Sequence, residues 1–333
     1  MMSGRRWTAL IIAAALFILS VVIQLTGDPG KDDKTDTPFA FQDSMFKEKV
    51  LKRGTGSKKI AVLNLDGVIQ DLGSTPFMDT LAYDHRRFLE MIEYAGEDPN
   101  VEGVIVNVNS PGGGVVESAE IHDKLIEVQE EYNKPVYASM GNVAASGGYY
   151  VSAPADKIVA HPATLTGSIG VITESVDISE LADEYGIDFN TIKSGKHKDI
   201  MSPKRKMTDE EEEILQVMTN DLYDDFVEVI VNGRDMSEEK VRELGDGRIY
   251  TGKQAKEHEL VDDLGTLDDA IKMMKEEQDL KGAQVIEYEP GYSLRQMFSL
   301  SADNILRSDA KVHDILNLIE QSRGPRLMYL YAG

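Results

Sequence analysis

The chain has 333 residues, of which 35 are basic and 58 acidic, and its formal net charge is −23. Such an acidic surface repels the phosphates of nucleic acids and anionic lipid headgroups, so nucleic-acid binding is not expected. The absence of cysteine excludes disulfides, cysteine nucleophiles and thiolate metal sites. With 41% apolar residues, the chain can build a sizeable core in one or two domains.

An uncharged and largely apolar run occupies residues 7–25. As a helix it would rise by about 28 Å, close to the roughly 30 Å of a bilayer core. Arg5 and Arg6 precede the run and Asp28 follows it, so the positive-inside rule predicts a cytoplasmic amino terminus, residues 1–6, and an extracytoplasmic remainder. A cleaved secretory signal is the alternative, but no A-x-A site follows the run. We therefore expect a single-pass signal anchor in the cell membrane over residues 7–26.

The remainder alternates between short apolar runs and helical patterns. Residues 27–57 are polar and predict a linker, with a short amphipathic helix over 39–51. Strands are predicted at 60–65, 103–109, 135–140 and 157–160, and helices at 86–94, 116–132, 208–232 and up to 275. This order predicts an α/β fold with parallel strand pairing. Residues 291–333 predict a peripheral helical extension and an apolar tail over 327–333.

Ser146 lies in a stretch of small residues that follows the predicted strand ending at Met140. The strand is predicted to break at Gly141, and Ala144 and Gly148 flank Ser146 at two positions on either side, much as glycines do in a G-x-S-x-G nucleophile elbow. Small side chains allow a sharp turn that holds the hydroxyl toward a substrate. Taken alone, the stretch is better explained as a plain glycine-rich turn.

A second glycine-rich stretch, Gly112 to Gly114, lies between a predicted strand and a predicted helix. Backbone N–H groups in this position suit an anion, which could be a phosphate or a developing oxyanion. The stretch matches neither the G-x-x-x-x-G-K-[ST] nor the G-x-G-x-x-G pattern, so nucleotide binding has little support.

A nucleophilic serine requires a base. His161 and His197 are the histidines nearest the candidate loops, and neither lies in a recognisable triad motif. A neutral lysine is the other option, and Lys193, Lys196 and Lys198 share one polar loop. Lowering a lysine pKa from about 10.4 to near 8 corresponds to about 3 kcal/mol in favour of the neutral form, which desolvation can supply. No metal-binding motif is present, and no cofactor is required.

Five motifs in this order resemble signal peptide peptidase A. They are NSPGGG at 109–114, AASGGYY at 144–150, TGSIG at 166–170, SGKHKD at 194–199 and RIYTG at 248–252. The resemblance spans about residues 58–275 and is to the short, single-domain form of the family. It implies a membrane-anchored serine peptidase with a Ser–Lys dyad and a Clp-protease/crotonase-like fold, and it places the peptidase domain at 58–290.

The resemblance also implies roles for individual residues. Ser146 matches the nucleophile, Lys198 the general base, and Ser168 a hydroxyl that orients the lysine. The oxyanion-binding backbone matches the glycines Gly112, Gly113, Gly114 and Gly147.

The same resemblance implies peptide substrates, namely remnant signal peptides left in the membrane, and a homo-oligomeric ring. The apolar tail over 327–333 could occupy the enzyme's own groove as a product-like peptide. A non-catalytic, membrane-anchored peptide-binding scaffold of the same fold is the main alternative. A crotonase-like acyl-thioester enzyme is a third option, disfavoured by the extracytoplasmic location.

Overall fold

The structure, a computed structural model, describes residues 46–71, 83–290 and 328–331. The predicted anchor over 7–26, most of the predicted linker and most of the extension after residue 290 lie outside these described residues. Within them, no helix is both long enough and apolar enough to cross a bilayer. The anchor therefore stays a prediction.

A largely parallel sheet forms the centre of the fold. The strands are, in chain order, β1 (Phe46–Lys52), β2 (Lys59–Asp66), β3 (Val101–Ser110), β4 (Gly112–Gly114), β5 (Val136–Ala145), β6 (Lys157–Ala160), β7 (Leu165–Gly167), β8 (Ile249–Thr251), β9 (Asp263–Leu264), β10 (Gln284–Pro290) and β11 (Met328–Leu330). The main order is β1-β10-β2-β3-β5-β6-β9, with β7 and β8 attached beside β5, while β4 and β11 form a separate pair. All pairs from β10 to β9 are parallel, which confirms the α/β fold with parallel pairing.

Helices pack on both faces of the sheet. In chain order they are α1 (His85–Glu97), α2 (Val115–Glu130), α3 (Gly147–Ser152), α4 (Ser179–Glu184), α5 (Asp209–Arg234), α6 (Glu238–Leu244), α7 (Gly252–Glu257) and α8 (Leu267–Glu277). Along β2, Leu63 and Leu65 belong to one buried cluster and Ile60 and Val62 to another, as the two-residue period of a strand requires. The first cluster includes buried residues of α1, α2 and α5, and α8 covers the second.

The parallel strands carry the candidate site residues at one edge of the sheet. Ser110 ends β3, Ser146 follows the end of β5, and Ser168 follows the end of β7. Because the carboxyl ends of parallel strands lie at the same edge, residues far apart in the sequence meet there. This topology, rather than any local sequence feature, assembles the site.

Two predictions for the segment that forms strand β1 need correction. Phe46–Lys52 is a β-strand where the sequence predicts part of a short helix, so the predicted linker over 27–57 extends too far into the folded part. The strand pairs with β10, an element that the sequence analysis did not predict, and Lys49 lies 3.1 Å from Glu287 of that strand. Phe46 packs edge-on against Tyr94. Pairing with a distant strand decides the conformation of this segment.

Strand β5 is also longer than predicted. It continues through Gly141 and Asn142 to Ala145, where the sequence predicts a break. The reason is a change of partner, because the first half of β5 pairs with β6 and residues 143–145 pair with β7. A register shift in the ladder with β3 accompanies this change.

Candidate active site

Ser146 occupies a strained turn between β5 and α3. Its backbone angles are φ 53° and ψ −119°, in a region that non-glycine residues rarely adopt. The Ser146 N–H donates to the Gly167 carbonyl at 2.7 Å, and its own carbonyl accepts the N–H groups of Tyr149 and Tyr150 at 2.9 Å each. These bonds hold the strained conformation, and a strand–turn–helix junction of this kind is typical of a nucleophile elbow.

The Ser146 hydroxyl is buried and has no hydrogen-bond partner among the described residues. Its side chain is 1% exposed and Oγ makes no bond. A buried polar atom without a partner costs free energy, and native proteins keep such atoms chiefly where they serve a function. The free hydroxyl is therefore a candidate reactive group.

The glycine strand β4 packs directly against the turn that follows Ser146. A Cβ on Gly112 would lie 2.6 Å from Gly147 N, and a Cβ on Gly147 would lie 3.1 Å from Gly113 N. Gly112 itself has a φ of 96°, which favours glycine. Side chains are excluded at both glycines, and the backbone of β4 therefore lies directly against the backbone of the turn that follows the serine. Such an arrangement can stabilise a developing oxyanion.

Two hydrogen bonds to Ile69 fix the position of β4. The Ile69 N–H donates to the Gly112 carbonyl at 2.9 Å, and the Gly114 N–H donates to the Ile69 carbonyl at 2.8 Å. The Gly112 N–H donates to Ser110 Oγ at 3.1 Å. The strand is thus held from its own chain neighbours and from the segment after β2.

Ser168 lies beside Ser146 on the neighbouring strand. Ala145 and Gly167 are register partners in the parallel pair of β5 and β7, so the residues that follow them are adjacent. Ser168 is 9% exposed and, like Ser146, has a positive φ, at 50°. The structure therefore brings Ser146, Ser168 and the glycines together.

Lys198 is not joined to this cluster within one chain. It is exposed, and its side chain makes no hydrogen bond or ion pair among the described residues. The histidines considered as bases are elsewhere: His161 Nδ1 accepts the Ala163 N–H at 3.2 Å, and His197 lies 3.3 Å from Glu210. No described base contacts Ser146 Oγ.

Residues 328–331 form an extended segment on β4. Strand β11 pairs antiparallel with β4, with Tyr329 opposite Gly113, and the Tyr331 N–H donates to the Pro111 carbonyl at 2.8 Å. Tyr329 is 1% exposed. The chain thus already contains an extended segment on the glycine strand next to Ser146.

An aromatic pocket receives the Tyr329 side chain. Its ring stacks on Tyr150 at a centroid distance of 5.0 Å and lies 4.7 Å from the Phe226 ring. The Tyr329 hydroxyl donates to the Leu222 carbonyl at 2.9 Å. Burial raises the pKa of Tyr150 to about 12, so this phenol carries no charge at neutral pH.

The sequence motifs assign no role to Tyr150, Phe226 or Ile69. Tyr150 lies within the AASGGYY stretch, four residues after Ser146. In a helix that starts at the serine, this spacing places the two residues about one turn apart, so Tyr150 could have been predicted to lie near the site. Phe226 comes from a distant helix, and Ile69 acts through its backbone, which leaves no side-chain pattern to read.

Comparison with known proteins identifies related chains. A family model described as peptidase family S49 matches residues 129–281, which include Ser146, Ser168 and Lys198. A protein of Enterococcus faecium that carries the name signal peptide peptidase SppA is 38% identical over 345 aligned positions, covering 100% of both chains. The chloroplastic serine protease SPPA of Arabidopsis thaliana is 30% identical over 88% of this chain and 44% of its own length. Protease 4 of Salmonella typhi is 35% identical over 67% of this chain and 35% of its own.

Gly113→Ala should destabilise the fold through the glycine strand. Its Cβ would lie 1.9 Å from the Ile69 carbonyl oxygen, a backbone atom that cannot move aside without breaking its bond to Gly114. We expect a loss of about 1–3 kcal/mol in the free energy of unfolding, measured by denaturant titration. Gly56→Ala is the matched control, because no atom of the described residues lies within 4 Å of its Cβ position. Equal stability of the two variants would contradict the packing described for β4.

Proposed function

Since this chain belongs to the signal peptide peptidase A family of serine peptidases, we propose that it cleaves apolar peptides through an acyl-enzyme on Ser146, with Lys198 as the general base. The proposed substrates are remnant signal peptides, by analogy with the name of the Enterococcus faecium relative. The proposed location is the extracytoplasmic face of the cell membrane, held by the anchor predicted over residues 7–26. The proposed fold relationship is to Clp protease and the crotonases.

One observation carries this proposal: an extended peptide lies on the glycine strand beside an unpartnered serine. Strand β11 pairs with β4 next to Ser146, whose Oγ has no hydrogen-bond partner in the part of the chain that the structure describes. Strand addition of this kind supplies main-chain hydrogen bonds to any sequence, while pockets select side chains. The pocket that holds Tyr329 suits an apolar or aromatic side chain. Peptide binding and a candidate nucleophile therefore coincide.

The proposed reaction begins with proton transfer from Ser146 Oγ to the neutral Nζ of Lys198. The freed oxygen attacks the scissile carbonyl carbon, and the carbonyl oxygen becomes an oxyanion. The lysine then gives its proton to the leaving amine, and the acyl-enzyme remains on Ser146. Water activated by the same lysine hydrolyses the ester and regenerates the serine.

The backbone and Ser168 support these steps. The proposed oxyanion donors are the N–H groups of Gly113 and Gly147, because those of Gly112 and Gly114 already donate to Ser110 Oγ and the Ile69 carbonyl. Losing one such donor typically costs about 10²–10³ in rate. Ser168 lies beside Ser146 and offers a hydroxyl that can orient the lysine amine. The lysine itself must be brought to the serine, because Lys198 is exposed and no described residue bonds to Ser146 Oγ.

We propose that a neighbouring copy in a homo-oligomeric ring supplies Lys198. The segment that precedes the lysine exposes large apolar side chains, including Tyr185 at 76%, Ile187 at 52% and Ile192 at 102%. Exposed apolar groups in such number are usual at protein interfaces. A ring built from head-to-tail contacts would place this segment of one copy against the Ser146 cluster of the next.

Mixing two inactive variants tests the shared site. Ser146→Ala and Lys198→Ala should each lose at least about 10³-fold in kcat/KM as homogeneous proteins, because each lacks one member of the dyad. Co-expressed and purified through two different tags, they should regain about a quarter of wild-type activity, because one neighbour pair in four then has an intact serine facing an intact lysine.

Lys196→Ala is the matched control, since Lys196 lies two residues from Lys198 and pairs with Glu210. It should stay active. If Lys196→Ala were inactive and Lys198→Ala active, the base would be Lys196 and the proposed assignment would be wrong. Mixed assemblies without any recovered activity would show that the dyad closes within one chain.

Tyr329→Ala tests whether residues 328–331 compete with substrate. Removing the buried ring should weaken the segment on β4 and lower the apparent KM for an added peptide up to about tenfold, because more sites are free to bind it. The kcat should not change. Tyr288→Ala is the control, because Tyr288 is also buried, at 5% exposure, but packs against Phe46 and Tyr94 at the far edge of the sheet. An unchanged KM for Tyr329→Ala would rule out competition by this segment.

A further inference from the structure

The loop that carries Lys198 is tied to the start of helix α5 by Arg205. Its Nε and Nη2 donate to the two carboxylate oxygens of Asp199 at 2.9 and 2.6 Å. Its Nη1 and Nη2 donate to the two oxygens of Glu211 at 2.7 and 2.6 Å. The planar guanidinium thus makes paired bonds to two carboxylates, a geometry that lysine cannot reproduce.

Glu211 is the fixed end of this bridge. Its side chain is 2% exposed, and Oε2 accepts the Thr208 N–H at 3.1 Å. The Glu211 N–H in turn donates to Thr208 Oγ1 at 3.3 Å, which completes a capping box at the start of α5. A rigid helix end therefore holds Arg205, and Arg205 holds Asp199, the residue directly after Lys198.

The other cations within residues 193–198 also have carboxylate partners. Lys193 lies 2.5 Å from Asp199 Oδ1, and Lys196 pairs with Glu210. His197 lies 3.3 Å from Glu210 and 3.6 Å from Glu211. Among Lys193, Lys196 and Lys198, only Lys198 lacks a carboxylate partner within the described residues. The carboxylate nearest to it in sequence, Asp199, is occupied on both oxygens.

This separation matters for a lysine that must lose its proton. A carboxylate beside an ammonium stabilises the protonated form, as the raised pKa of Lys206 next to Glu180 illustrates. The Arg205 guanidinium, with help from Lys193, holds the pKa of the Asp199 carboxyl well below its usual range. The Asp199 carboxylate therefore stays charged at every working pH. It stabilises whichever cation is bonded to it, which here is Arg205 together with Lys193.

We propose that Arg205 is a positioning residue for the reaction: it engages Asp199 so that this carboxylate anchors the loop without pairing with Lys198. The inference rests on the proposed role of Lys198 as the base. It adds a residue that contacts neither the substrate nor Ser146, and it assigns Asp199 and Glu211 to the support of the loop. Without Arg205, Asp199 Oδ2 loses its partner and becomes available to the Lys198 ammonium.

The test is the pH profile of kcat/KM in the full-length enzyme. In Arg205→Gln, we expect the rise of kcat/KM with pH to move about one unit toward higher pH, because Asp199 now favours protonated Lys198. At a fixed pH below this rise, kcat/KM of Arg205→Gln should be about tenfold lower than that of the wild type. Adding Asp199→Asn should return the profile to its wild-type position, because the competing carboxylate is gone.

The control variant is Arg242→Gln. Arg242 also bridges two carboxylates, lying 2.8 Å from Asp224 and 2.7 Å from Glu238, but it belongs to helix α6. Its loss should leave the profile in place. A merely structural role for Arg205 would lower the rate at all pH values equally, and that result would overturn the inference.

Two further measurements keep the test decisive. If Arg205→Gln does not fold, Arg205→Lys and its combination with Asp199→Asn give the same comparison, because lysine cannot hold both Asp199 oxygens. Full activity in Lys198→Ala would instead refute the proposed function itself. An unshifted profile in folded Arg205 variants, with Lys198→Ala inactive, would refute only the positioning role.

Discussion

Close packing of bare backbone between strand β4 and the turn after Ser146 is the constraint on which the rest of the site depends. A Cβ on Gly112 would lie 2.1 Å from the Tyr329 carbonyl oxygen and 2.6 Å from Gly147 N, and one on Gly147 would lie 2.6 Å from Ser118 Oγ and 3.1 Å from Gly113 N. Ile69 pairs with β4 on one edge and residues 328–330 pair on the other. The strand that brings N–H groups to the serine therefore also offers the edge that binds an extended peptide. In the proposed mechanism, peptide binding and oxyanion stabilisation use one element, which couples the register of the substrate to the chemistry.

The charged groups around the proposed base are paired so that none of the nearby carboxylates is bonded to Lys198 in the described residues. The chain has 58 acidic residues, and a carboxylate beside the lysine would stabilise its protonated form. In the described loop, the acids are matched to other cations: Asp199 to Arg205 and Lys193, and Glu210 to Lys196. Lys198 is left exposed without such a partner, available for an interface in which desolvation would favour its neutral form. Loop stability and base function are thereby separated.

The sequence predicts those parts of the fold that local pattern determines. Buried apolar runs identify β2, β3 and β6, and Thr208 with Glu211 marks the start of α5. The strand over 46–52 was missed because its charged residues suit an exposed edge, and only the distant strand β10 makes it a strand. The turn at Ser146 could be identified from its small residues. The aromatic pocket and the Arg205 bridge could not, because their members come from separate elements that only tertiary packing brings together.

Covalent labelling measures the central claim, that Ser146 is an activated nucleophile, most directly. A fluorophosphonate reacts with activated serine hydroxyls, and peptide mapping by mass spectrometry then locates the adduct. The account predicts one adduct, at Ser146, that is absent in Ser146→Ala and strongly reduced in Lys198→Ala. An adduct at Ser168 instead would show that Ser168 is the nucleophile and that the assignment of Ser146 is wrong. No adduct in a folded protein that still binds peptides would contradict the account and indicate a peptide-binding scaffold.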